Sequence, residues 1–172
     1  MVRQKIILSD KMSYMPVRRA RQFLDRYWDG HLPVDVINIA RACGITVISD
    51  SHYLQALDLS GMIDWANDSP TITYNGLDPA VRQRFTIAHE LGHFALNHGT
   101  SFRDSPAKFS LVQHDSKEIA ANQFAAELLM PEDAITHAIT AKNLYNVAKL
   151  ANLFMVSQVA MKFRLKNLGW AQ

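Results

Sequence analysis

The stretch DPAVRQRFTIAHELGHFALNHG, residues 78–99, decides the reading of the chain. Asp78 is a good N-cap residue, and Pro79 suits the first helical position, where its missing N–H costs nothing. Apolar residues then recur at helical spacing and Gly99 supplies a stop, which predicts one helix running to about His98. His89 and His93 stand four apart on it, about 40° around the axis, so both imidazoles lie on one face. Rings so placed suit a single tetrahedral zinc ion. Glu90, offset to the side of the stripe, can take a proton from a water that the metal activates. The plainer alternative is a surface helix with two histidines and a solvated glutamate.

Two histidines leave such a site one protein ligand short. His98 is near in sequence, but the pattern HExxHxxGxxH would need Gly where Leu96 stands and His where Gly99 stands. On a helix continuing to residue 98, that ring lies roughly 180° from His89. The expectation is therefore a surface histidine near the helix C-terminus, where the macrodipole favours it. A second source is the segment from Ser116 to Met130. Ile119, Ala121, Phe124, Ala125, Leu128 and Leu129 make it a helix apolar nearly all round, hence buried. A buried carboxylate is costly unless paired or bound to a metal. Glu118 and Glu127 compete for that role from opposite faces. Glu118 shares its face with Asn122, Ala125 and Leu129, and Asn122 is placed to orient a ligand. Spacing favours Glu118. Its alternative role is a capping-box partner of Asp115, and that of Glu127 a solvated position or an ion pair.

Upstream, Pro16 to Trp28 reads as a basic amphipathic helix with Val17, Ala20, Phe23, Leu24 and Tyr27 inward and Gly30 as its stop. Pro33-Val34-Asp35 opens a short helix through Ala42, and Ile45 to Ile48 reads as a strand. Leu59–Asp64 and Thr71–Tyr74 flank a turn-rich segment and predict an antiparallel hairpin, for a sheet of about three strands. The stretch from Thr71 to Asn75 is expected to offer a strand edge on which an extended substrate can pair. Thr100 to His114 reads as a loop. After Pro131 come two or three more helices, ending at Gly169. Within them Leu144 to Ala160 resembles a helix-turn-helix, with Ser157 capping a last helix that carries Lys162, Arg164 and Lys166. One reading is DNA contact through residues 144–168. The other is a helical subdomain packed on the body through Val159, Phe163, Leu165 and Leu168, and a net charge of +2 favours it.

The 172 residues suffice for one ordinary domain, and an apolar fraction of 48% supports a real core. Ile6-Ile7-Leu8 is too short for a signal-peptide core, and no stretch approaches the ~20 apolar residues of a membrane helix. Cys43 is the one cysteine, which excludes an intramolecular disulfide and a cysteine-built zinc site and points to the cytoplasm.

Two motifs carry a resemblance: RFTIAHELGH, residues 84–93, and EIAANQFAAELLMP, residues 118–131. Together they resemble the metallopeptidases of the ImmA/IrrE type. Leu59–Ile63 and Ile72–Asn75 look like the hairpin that precedes that family's active-site helix. The similarity runs from about Pro33 to Gly169. It implies an α+β fold: a mostly helical, zincin-like metallopeptidase domain with a small sheet and a helix-turn-helix-like C-terminal subdomain. It implies a zinc ion, or another divalent metal, held by His89, His93 and the ExxAN glutamate, Glu118, with Glu90 as the catalytic base. It also implies a protein substrate, since better-understood members cleave a helix-turn-helix repressor and release stress-response or mobile-element genes. The expected organisation is one domain over 1–172, with an arm at 1–32, a peptidase core at 33–130 and a helical end at 131–172. Two rivals stand beside this reading: a DNA-binding regulator with a vestigial zinc site, and a hydrolytic toxin of a toxin–antitoxin pair. Glu90 argues against the first, because a purely structural site has no use for a general base.

Overall fold

A computed structural model describes residues 2–66, 69–104 and 115–170. The elements in chain order are α1 (Val2–Tyr27), α2 (Val36–Ala42), β1 (Thr46–Ser49), α3 (Ser51–Ala56), β2 (Leu59–Ala66) and β3 (Ser69–Tyr74). There follow α4 (Ala80–Ala95), β4 (Ser101–Asp104), α5 (Ser116–Leu129), α6 (Glu132–Thr140), α7 (Val147–Phe154) and α8 (Gln158–Asn167). The class is α+β and mostly helical, as expected.

Local chemistry accounts for most boundaries. The Asp35 side chain accepts from Asn38 N–H and starts α2, which buries Val36, Ile39 and Ala40. Ser157 caps α8 through Ala160 N–H, and Asn146 caps α7 through Lys149 N–H. Helix α1 begins well ahead of Pro16, which stands inside it. Residues 2–29 contain no glycine, and their helix propensity carries the helix through the one hydrogen bond that proline removes. Helix α4 starts one residue later than its sequence signals. Pro79 itself is the N-cap, with ψ 143°, and makes no side-chain cap bond. Helix α3, capped by Asp50, was not expected, because its six residues bury only Leu54 and show no readable period.

The sheet order is β1-β3-β2-β4. The hairpin is antiparallel, pairing Gly61 with Tyr74 and Ala66 with Ser69, while β1 runs parallel to β3. Beyond the three expected strands, β4 adds a fourth in a segment read as loop, setting Ser101 opposite Ile63. Residues 105–114, the rest of that segment, lie outside the described residues. One expectation fails here: β3 is paired on both sides, so Thr71 to Tyr74 offers no free edge.

Helix α4 lies between the sheet and α5, and α1 covers the far side of α5. One apolar cluster runs from Ala20 to Leu165 through Ile63, Ile72, Leu91, Phe124 and Leu128. Phe23 meets Phe124 edge to face at 5.4 Å. Glycine sets the two closest approaches. A β-carbon at Gly92 would lie 3.2 Å from Ala121 Cα and O, and one at Gly61 would lie 2.3 Å from Thr86 Cγ2. The first contact lets α4 and α5 close on each other. The second lets β2 lie down on α4.

The C-terminal helices are tied in by charge. Glu127, buried, pairs with Arg164 and with Arg21, and Arg164 also donates to Met130 O at 3.0 Å. Arg164 is 8% exposed and therefore not part of a basic face, which removes one of the three cations read as DNA contacts. The packing reading also needs correction. Leu165 is buried, but Val159 and Phe163 are 62% and 64% exposed, because the α8 face that turns inward carries Met161, Arg164 and Leu165 instead.

Candidate metal centre

Helices α4 and α5 bring three side chains together. His89 Nε2 and His93 Nε2 lie 3.0 Å apart, and the Glu118 carboxylate lies 3.0 Å from the first and 3.1 Å from the second. Both imidazoles are buried, at 1% and 2% exposure, while Glu118 keeps some access to solvent. Burial pushes the Glu118 carboxyl up, but hydrogen bonds and charge from His89 and His93 outweigh it and hold the group well below the usual carboxylate range. The group is thus ionised at neutral pH, as a metal ligand must be.

These residues fit a metal ion. Tetrahedral ligands with bonds of roughly 2.0–2.2 Å stand about 3.3 Å or slightly more from one another, a few tenths beyond the separations here. Two imidazoles and one carboxylate make three protein ligands, the number found in catalytic zinc sites, which keep a fourth position open. Among the described residues, these three form the group able to hold a metal in this way.

The surrounding groups orient these side chains. His89 Nδ1 lies 3.0 Å from Asn122 Oδ1, one turn beyond Glu118 on α5, where the shared face of Glu118 and Asn122 predicts it. Phe85, one turn before His89 on α4, lies beside its ring at 6.4 Å. Glu90 is fully buried, and its Oε2 accepts from Ser101 Oγ at 2.7 Å. Glu127, the rival for the third ligand, is an ion-pair residue on the far side of α5.

Two contacts escaped the sequence reading. Ser101 reaches Glu90 only because β4 exists, and four residues that follow a glycine and a threonine carry too little pattern to mark a strand. His98 does not face away from the site as expected: its Nδ1 lies 3.1 Å from His93 Nδ1. The helix ends at Ala95, and Asn97 turns left-handed at φ 56°, so the helical extrapolation to residue 98 fails. The signal was present, since Asn serves as a helix-terminating left-handed residue much as Gly does. Burial first, then His93 and Lys117, hold His98 below the ordinary histidine value.

Two histidines one turn apart, a carboxylate from a facing helix and a buried glutamate beside them form the kind of arrangement that hydrolytic metal centres use. Residues 16–166 match the family model described as the IrrE N-terminal-like domain, a peptidase family, and the chain belongs to that family. A curated relative, the metallopeptidase ImmA of Bacillus subtilis (strain 168), is 28% identical over 137 residues, which cover 77% of each chain.

Proposed function

We propose that this chain is a zinc-dependent endopeptidase in which His89, His93 and Glu118 hold the metal and Glu90 is the general base. One observation carries the reading: the two Nε2 atoms and the Glu118 carboxylate converge to within 3.0–3.1 Å from separate helices. A bound zinc ion supplies Lewis acidity toward a peptide carbonyl and toward water. The chain's own residues do the rest. His89 turns its Nε2 lone pair to the site and donates from Nδ1 to Asn122 Oδ1, which fixes the ring. Glu90 is held by Ser101 and is free of ligand duty, so it takes a proton from the attacking water and delivers it to the leaving amine.

The substrate is a protein segment, and the resemblance favours a helix-turn-helix repressor of a stress-response or mobile-element circuit in the cytoplasm. No described helix is long and apolar enough to cross a membrane. Among the described residues β4 pairs with β2 alone, and its Ser101 contacts Glu90. A substrate strand added to β4 would then lie next to the base.

The test pairs the zinc-loaded chain with the helix-turn-helix repressor encoded beside it. Discrete fragments are expected from the wild type and none from Glu118→Ala. That variant should bind zinc more weakly by more than about 100-fold, beyond the loss expected for an outer hydrogen-bond partner. An intact repressor under zinc-replete conditions, with tight DNA binding by the chain itself, would favour the regulator reading.

A further inference from the structure

The end of α4 follows a defined pattern. Leu96 is the C-cap and Asn97 takes the left-handed conformation, with its N–H on Phe94 O at 3.1 Å. His98 N–H then reaches back to His93 O at 3.0 Å. These two bonds make a Schellman motif, which sets the second residue past the cap against the residue that starts the last turn, usually as an apolar contact. Here that pair is His98 and His93. Their rings meet edge-on at 5.0 Å, and the two Nδ1 atoms lie 3.1 Å apart. The His98 carbonyl also accepts from Lys117 Nζ at 3.5 Å, in the first turn of α5 and next to Glu118. One residue thus touches both helices that carry the metal-centre side chains.

We propose that His98 is a positioning residue of the metal centre, accepting a hydrogen from His93 Nδ1 and so fixing the ring that presents Nε2 to the ion. The proposal rests on the reading of His93 as a ligand. His93 Nε2 is committed to the centre, 3.0 Å from His89 Nε2 and 3.1 Å from Glu118. Its hydrogen therefore resides on Nδ1, and His98 Nδ1 must be the acceptor, with the His98 hydrogen on Nε2. Each ring then has one acceptor behind it: Asn122 for His89, from α5, and His98 for His93, from the turn that ends α4. Partners of this kind set ring orientation and ligand basicity, and losing one costs about 10–100-fold in metal affinity.

The experiment measures zinc affinity of the full chain by competition with a chromogenic chelator for wild type, His98→Ala, His98→Phe and His98→Asn. Asparagine places Oδ1 near the position of the imidazole Nδ1, whereas phenylalanine keeps a ring and removes the acceptor. His98→Ala and His98→Phe are each expected to bind zinc about 10–100-fold more weakly. His98→Asn should stay close to wild type, and the metal-free melting temperatures of all four should agree. Wild-type affinity in both His98→Ala and His98→Phe would overturn the proposal. So would a His98→Phe chain that binds normally while His98→Ala does not, since the contact would then be packing. A wild-type chain that binds no zinc would instead remove the ligand reading of His93, and this proposal with it.

Discussion

Glu90→Gln is expected to lower the rate of repressor cleavage by about 10²–10⁴-fold, the range for removing a general base, or about 2.7–5.5 kcal/mol of barrier. Glutamine has the shape of glutamate, and its carbonyl oxygen can still accept from Ser101, which sits 2.7 Å from Oε2. What it lacks is a basic oxygen. Glu90 is not among the three side chains that converge on the proposed metal site, so zinc content and melting temperature should hardly move. Single-turnover cleavage and zinc analysis of the same preparation separate the two effects. A variant that cleaves at the wild-type rate would remove Glu90 from the mechanism, whereas one that loses zinc would make it part of the metal site.

The largest effect on stability is expected at Glu127. Its pairing with Arg164 is buried on both sides, at 1% and 8% exposure, whereas Arg21 and Glu132 are about two-fifths exposed or more. Exposed pairs contribute ~0–1 kcal/mol, so the cost of breaking the network falls on Arg164. Glu127→Ala leaves that guanidinium buried, donating to Met130 O but without its carboxylate partner, and such a loss costs about 3–5 kcal/mol. Against a total stability of roughly 5–15 kcal/mol, that is a large fraction. Urea unfolding should show it as a lower midpoint with little change in slope. Replacing the buried pair together by apolar residues, Glu127→Leu with Arg164→Met, should recover most of the loss, because no buried charge is left unpaired. Zinc affinity of the folded variant should remain near wild type, since Glu127 faces away from Glu118 on α5. A loss under about 1 kcal/mol would mean water reaches Arg164, contrary to its burial.

The features legible in the sequence were those with a period or a fixed spacing. The spacing of four from His89 to His93 places both rings on one face of any helix, whatever surrounds it. The apolar character of 116–130 marks α5 as buried, but the carboxylate it buries is Glu127, at 1% exposure and paired with Arg164. Glu118 keeps some access to solvent and is singled out by the face it shares with Asn122. The rest depended on contacts distant in sequence or on one backbone angle. Asn97 turning left-handed ends α4 three residues early and swings His98 onto His93. Arg164 reads as a surface cation until Glu127, 37 residues earlier in the chain, is seen to pair with it. Strand β4 exists because β2 offers it an edge, and four residues alone do not encode that pairing. The edge expected on β3 is absent for the same kind of reason, since β1 returns to cover it.

The most direct test of the proposed metal centre is an anomalous difference map, collected at the zinc edge, from crystals of the wild-type chain grown with zinc. The account predicts one strong peak roughly 2.0–2.2 Å from His89 Nε2, His93 Nε2 and the Glu118 carboxylate together. His98 and Asn122 should lie behind the rings rather than on the ion. Zinc bound through Glu127 or directly through His98, or none between the two Nε2 atoms, would contradict it.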